Sequence, residues 1–312
     1  GMLLTTPQIN VSKMIEDKQS KSKVTSDKVV PKVLALIALI SILTTLGILV
    51  TLLTETITFF TRIPLTEFLF TAEWSPFTSS PKYGIWALII GTLKITVIAT
   101  IVAVPIGLGS AIYLSEYASK TARKIIKPTL ELLSGIPTIV FGFFALTFVT
   151  PLLRSIFPDI NSFNSISPGI VVGIMIIPLI SSMSEDAMSS VPDKVREGAL
   201  GMGATKFEVA RKVIVPAATS GIMASIVLAI SRALGETMIV SLAAGSTPSS
   251  SFDLTNSIQT MTGYIVQVAT GDATFGSTAY YSIYAVGFTL FIFTIIMNLI
   301  SQWITHRFRE EY

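Results

Sequence analysis

Residues 191–218 read VPDKVREGALGMGATKFEVARKVIVPAA, and this stretch decides the fold. It lies between two apolar runs and reads as two short helical pieces around a glycine-containing turn. Pro192 with Asp193 opens the first piece, and Gly201 and Gly203 break it. Thr205 caps the second, with Glu208 three residues on, the spacing of a capping box. Val209, Val213 and Ile214 give the second piece an apolar side. Pro216 then opens the next run, where its missing N–H is harmless.

Outward from this loop the chain is apolar. Of 312 residues, 51% are hydrophobic and 13% charged, with mean hydropathy +0.70. Soluble domains carry about 25% charged residues. Six runs reach the ~20 residues that cross a bilayer. They fall at about 32–59, 84–114, 128–152, 168–188, 217–245 and 278–304, with the loop at 189–216. The sequence predicts an all-α polytopic membrane protein, with one helical bundle over 32–312. Pro105 is expected to kink the second span, and Pro137 and Pro178 to interrupt the third and fourth.

Residues 1–31 form a polar, basic tail, expected to be cytoplasmic and mostly unstructured, with room for an interfacial helix. Gly1 ahead of Met2 is set aside, and the pattern is not that of a signal peptide. The positive-inside rule places both termini on the cytoplasmic side. Lys13, Lys18, Lys21, Lys23, Lys28 and Lys32 precede the first span. Lys120, Arg123, Lys124 and Lys127 follow the second, and Lys194, Arg196, Lys206, Arg211 and Lys212 follow the fourth. Arg307 and Arg309 follow the sixth. Only Arg62, Lys82 and Arg154 remain for the outer loops. The outer segment 246–277 carries Ile258, Met261, Ile265 and Val268 at helical spacing, which predicts a short amphipathic helix over the bundle mouth.

Composition excludes several chemistries. There is no cysteine, and the one histidine, His306, lies in a basic tail, so thiolate catalysis and a histidine-rich metal site are ruled out. No G-x4-G-K-[ST] occurs, so the chain is not expected to hydrolyse ATP. LLSGIP at 132–137 reads as a span with a Gly-Pro break. A membrane-embedded enzyme would need a nucleophile–base pair or metal ligands within the spans, and few intramembrane carboxylates are present.

Glu197, Ala199, Gly203, Val213, Val215 and Pro216 match the spacing of the "EAA" loop, E-A-A-x3-G-x9-I-x-L-P, of ABC-importer permeases. Gly198 stands for the first alanine, and valines replace Ile and Leu. AVPIGLGSAIYLSEYA (103–118), ELLSGIPTIVFGFFAL (131–146), SRALGETMIV (231–240) and SIQTMTGYIVQVATGD (257–272) resemble segments of the phosphate permeases, PstC type. The resemblance covers about residues 84–304. It implies a type I, MetI-like permease fold with six transmembrane helices in the plasma (inner) membrane of a prokaryote, acting as a non-catalytic subunit of an ATP-driven phosphate importer. Implied partners are a second permease (PstA type), an ATPase dimer (PstB type) that binds ATP and Mg, and a phosphate-binding protein (PstS type). Membrane lipid surrounds the chain, and no nucleic-acid partner is expected. Glu197, Ala199 and Gly203 would sit at the ATPase contact. Sulfate, molybdate and tungstate permeases share the fold and a related R-A-L-G-E stretch, so another oxyanion is the alternative. Thr237, where they carry an aromatic residue, favours phosphate. A self-contained channel or carrier is disfavoured by the loop.

Arg232 and Glu236 stand in the fifth apolar run. A charge at mid-membrane costs on the order of 2.5–3.5 kcal/mol on insertion scales, so both are expected to face the bundle interior or an aqueous path. Their i,i+4 spacing puts them on one helix face. Two readings stand: an intrahelical ion pair that neutralises itself, or a path in which the Arg232 fork meets a tetrahedral oxyanion and Glu236 positions it. Lys94 is expected to reach outward along its stem. Glu55 and Glu116 are expected to be solvated, and Glu131 to pair with Lys127.

Overall fold

The structure, a computed structural model, describes residues 10–308. The chain divides into two units, Gly1–Thr54 and Glu55–Tyr312, each taken by itself. The first is described through helix α1 (Val11–Arg62), which continues into the second. Residues 11–31, expected as an unstructured tail, are helical instead. No Gly or Pro falls between positions 8 and 30, and opposite charges recur at i,i+4 (Lys13 and Asp17, Asp17 and Lys21, Lys23 and Asp27). A helix nucleated in the adjoining apolar run extends through such a stretch without a new nucleus. Asn10 caps it, accepting from the Lys13 N–H at 3.3 Å. Residues 1–9 lie outside the described part. Leu34, Ile37 and Leu43 are exposed, as a helix facing lipid requires.

The second unit continues with α2 (Leu65–Phe70), a two-stranded hairpin of β1 (Trp74–Ser75) and β2 (Lys82–Tyr83), α3 (Trp86–Tyr117) and α4 (Lys120–Leu133). Then come α5 (Thr138–Ile156), α6 (Ile166–Ser189), α7 (Asp193–Gly201) and α8 (Lys206–Ala217). The chain closes with α9 (Thr219–Leu234), α10 (Met238–Ala243), α11 (Met261–Gln267) and α12 (Thr278–Arg307).

The third span differs from its expected 128–152. Residues 120–133 form the separate amphipathic helix α4, and the span begins only at Thr138. Gly135 and Pro137 end α4, because the residue before a proline is pushed out of the helical region. At Pro105 and Pro178, by contrast, α3 and α6 run on as continuous helices. Each proline removes one backbone bond. Around these prolines α3 packs along α6 through Ala99, Ala103, Val172 and Ile176.

Three apolar clusters organise the unit. The central one joins α3, α5, α6, α9 and α10. A second lies at the hairpin, where edge-to-face rings meet. Trp74 lies 5.4 Å from Tyr83 and 5.0 Å from Tyr264, and Phe59 lies 5.5 Å from Tyr83. The third, with Ala111, Met188, Val209 and Ile214, lies under the 189–216 loop. The short helix expected in 246–277 is α11, starting at Met261. Ile258 precedes it but is equally buried. This helix is a packed element, with Met261 and Tyr264, and Val268 just after it, in the second cluster.

Where 246–277 crosses α3, the backbones nearly touch. A Cβ at Gly91 would stand 2.2 Å from the Gln259 carbonyl oxygen. Backbone cannot yield as a side chain does, so Gly91→Ala is expected to destabilise the protein by about 1–3 kcal/mol. A thermal midpoint in detergent equal to wild type would refute this close approach.

Candidate functional site

The fifth span is broken, and the break falls between the two charges picked out in the sequence. α9 ends at Leu234 and α10 starts at Met238, so Arg232 closes one helix while Glu236 precedes the next. The expected i,i+4 pair does not form. Arg232 is exposed and, among the described residues, has no ion-pair partner. Glu236 is only 8% exposed, and its Oε1 accepts from the Ile239 N–H at 3.1 Å. It therefore caps α10, satisfying a donor that the helix start leaves free. The Thr262 hydroxyl of α11 donates to the Glu236 carbonyl at 2.7 Å, pinning the break to the 246–277 segment. The Gly235 that follows α9 was the signal in the sequence: a glycine after a helical run marks its end. Non-helical backbone at membrane depth is tolerated where it is buried in protein or lines a cavity.

The entry to this span is also bent. α8 and α9 meet at 72°. Before them, the 189–216 loop forms the two predicted helical pieces. Thr205 accepts from the Glu208 N–H at 3.2 Å, and the Glu208 carboxylate returns to the Thr205 hydroxyl at 3.2 Å. Gly203 has φ +90°, a conformation that a side chain would strain. The Ala204 N–H donates back to the Ala199 carbonyl at 3.2 Å, closing α7. Glu197 and Gly203 are exposed and Ala199 is half-buried. Sequence reasoning missed the apolar part of this surface. Met202 is 89% exposed, and Leu200 and Phe207 are exposed beside it. Together they leave an exposed apolar patch on a basic loop.

Two buried carboxylates tie the loop end of the bundle together, and neither was expected. Glu185 of α6 has a fully buried side chain. Lys127 of α4 approaches one of its oxygens at 2.5 Å, and Arg123 of α4 pairs with the other. Ser189 donates to Glu185 at 2.8 Å, and Lys127 also reaches Asp186 at 2.6 Å. The expected Lys127–Glu131 pair is thus replaced by links from α4 to α6. Glu116, expected to be solvated, is 7% exposed and gripped by Arg196 of α7. A cavity of about 270 Å3 lies among Glu116, Arg123, Asp193, Arg196, Leu200 and Lys206.

Lys94 is 7% exposed. Its ammonium donates to the Asp253 carbonyl at 3.0 Å, so the stem does run toward the 246–277 segment but ends on protein. Asp253 accepts from the Thr255 N–H at 2.9 Å and the Thr255 hydroxyl at 2.7 Å, which hold its pKa below the ordinary value. Glu55 is half-buried. Among the described residues no cluster of His, Cys, Asp and Glu has the form of a metal site.

Residues 103–310 match the family described as binding-protein-dependent transport system inner membrane component. The chain is 34% identical over 244 residues to the "Probable ABC transporter permease protein YqgH" of Bacillus subtilis, covering 77% of this chain and 78% of that one. It is 34% identical over 260 residues to the "Phosphate transport system permease protein PstC" of Mesorhizobium japonicum, with the same two coverages, 77% and 78%. Among solved structures it is similar to a chain of the MetNI methionine ABC transporter in inward-facing conformations (18% identity, 72% of this chain, 98% of that chain, TM-score 0.55). It is also similar to a bacterial ABC transporter involved in the import of the acidic polysaccharide alginate (17% identity, 84% and 96%, TM-score 0.55).

Proposed function

We propose, from the premise that the chain belongs to the family of binding-protein-dependent transport system inner membrane components, that it forms part of the phosphate path of an ATP-driven importer. It is a multi-pass integral membrane protein with the MetI-like fold of type I ABC-importer permeases, and a non-catalytic transport subunit. The observation that carries phosphate is the similarity, at 31–34% identity over about three quarters of the chain, to several proteins named as phosphate transport permeases.

On this reading the loop 189–216 is cytoplasmic and docks on an ATPase dimer (PstB type) that binds ATP and Mg. Glu197, Ala199, Gly203 and the exposed Met202 lie at that contact. Arg232 lines the anion path at the break in the fifth span, shared with a second permease (PstA type). A phosphate-binding protein (PstS type) delivers the anion on the opposite face, across a prokaryotic inner membrane. An uncharged path would offer an oxyanion no charge to meet. A guanidinium with no ion-pair partner among the described residues attracts it, and a single charge holds it weakly enough for release.

The test is reconstitution with the second permease, the ATPase and the binding protein in proteoliposomes. ATP-dependent uptake of labelled phosphate, undiminished by excess sulfate or molybdate, is expected. Uptake of sulfate or molybdate in place of phosphate would overturn the substrate and leave the permease role standing. The similarity to YqgH, whose name states no substrate, supports the permease role and favours neither anion.

A further inference from the structure

Arg196 directly precedes Glu197 in α7 yet turns into the bundle rather than toward the exposed face. Its guanidinium meets both oxygens of Glu116, at 3.1 Å from Nε to Oε2 and 3.0 Å from Nη2 to Oε1. The same group donates to the Met188 carbonyl at 2.6 Å and the Val191 carbonyl at 2.5 Å. A last contact reaches Asp193 within α7 at 3.3 Å. Glu116 lies in the last turn of α3, and Met188 in the last turn of α6. One side chain therefore fastens three elements: the loop helix and the near ends of the two central spans.

The burial of this node matters for what it does. The Arg196 and Glu116 side chains are 15% and 7% exposed. A buried ion pair is weak evidence for stability, since apolar residues of similar volume often serve as well. Its distinct property is geometry. The planar guanidinium fork fixes direction as well as distance, which a lysine or an apolar contact does not. The docking patch of Leu200 and Met202 lies on and just after the same helix, with a turn between them and α8.

We propose that the Arg196–Glu116 pair is a strut: displacement of the docked loop passes through it to the near ends of α3 and α6, which move with α7 as one body. Arg196 is then a positioning residue for transport, and touches neither anion nor nucleotide. The proposal rests on the permease reading above, in which the loop is the ATPase contact.

The chain has no cysteine, so spin labels can be placed without background. Lys194→Cys on α7 and Tyr117→Cys on α3 are both exposed positions. In the reconstituted complex with its ATPase and binding protein, the label-to-label distance is expected to be single and unchanged between the nucleotide-free and the ATP–vanadate-trapped states. In Arg196→Gln, and in the milder Glu116→Gln, it is expected to broaden on trapping. Phosphate moved per ATP hydrolysed is expected to fall about tenfold or more. The double variant is expected to be no worse than either single one, since both remove the same contact.

A wild-type distance that itself changes on trapping would overturn the strut. So would variants that keep the wild-type distance and ratio, or in which uptake and hydrolysis fall in proportion at unchanged distance. A wild-type complex that moves no solute on ATP would instead take down the permease reading, while the trapped distances still judge the strut.

Discussion

Glu185→Ala is expected to destabilise the protein by about 3–5 kcal/mol, the effect of removing one partner from a buried charge cluster. The Glu185 side chain is fully buried, and Arg123 and Lys127 converge on it from α4. Without the carboxylate, two cations face each other at the foot of α6 with one exposed aspartate, Asp186, to share. α4 is then expected to lose its dock, because none of its own residues is buried. The control is Asp186→Ala. That side chain is 64% exposed, so its loss is expected to cost under about 1 kcal/mol. Thermal unfolding in detergent and hydrogen exchange over residues 120–133 give the two readouts. Equal effects for the two variants would mean that the cluster holds nothing.

The cluster is also expected to persist at neutral pH. Burial alone pulls the Lys127 pKa down, but the hydrogen bonds that its ammonium donates to Asp186 and Glu185 outweigh it, leaving the pKa above its ordinary 10.5. A group whose pKa is raised on folding contributes fully below its unfolded value. That contribution is lost only as pH rises through the folded one.

How much of this was legible in the sequence depends on the physical origin of each feature. Helical spans were visible because ~20 apolar residues at a stretch have few other solutions. The loop was visible to the level of the Thr205 cap, since capping is local and its residues lie within one turn. Breaks were harder. Pro178 looks like a break and is not, while Gly235 makes one without a proline. A proline removes one bond, which neighbours can outweigh. A glycine that ends a helix beside a residue able to cap the next one offers the chain a complete alternative. Least legible were the carboxylate nodes. Glu116 and Arg196 are 80 positions apart, and Lys127 and Glu185 are 58. The i,i+4 arithmetic that suggested Lys127 with Glu131, and Arg232 with Glu236, sees partners on one helix alone. In this bundle the carboxylates went to cations brought by folding, or to a helix start. The apolar face of the loop was missed for a related reason. Leu200, Met202 and Phe207 look like core residues until the turn at Gly203 is built.

The break in the fifth span makes the clearest demand on function. On the phosphate-importer reading, Arg232→Ala is expected to lower phosphate uptake by about 30-fold or more, with the complex still assembled. A guanidinium in the middle of an apolar run is costly unless water, a partner subunit or an anion solvates it. Within this chain the nearby carboxylate is already committed, because Glu236 caps α10 through the Ile239 N–H. Arg232 is thus left exposed at the end of α9, beside a stretch of non-helical backbone. Two unit charges at about 4 Å attract by roughly 4 kcal/mol at an effective dielectric of 20. Even half of that, lost from the path, is about 30-fold in rate. Arg232→Lys keeps the charge but not the fork, and is expected to fall between alanine and wild type. Glu236→Gln keeps an oxygen for the α10 cap, so its uptake is expected to stay closer to wild type than that of Arg232→Ala. The measurement is initial uptake of labelled phosphate in proteoliposomes, normalised to assembled complex, with thermal unfolding in parallel. Full uptake by Arg232→Ala would remove the arginine from the path. A fall in uptake matched by a fall in unfolding temperature, and reversed in neither by lysine, would make it a structural residue at a subunit contact. A fall in uptake at unchanged unfolding temperature, partly restored by lysine, is the result expected of a charge met by the anion.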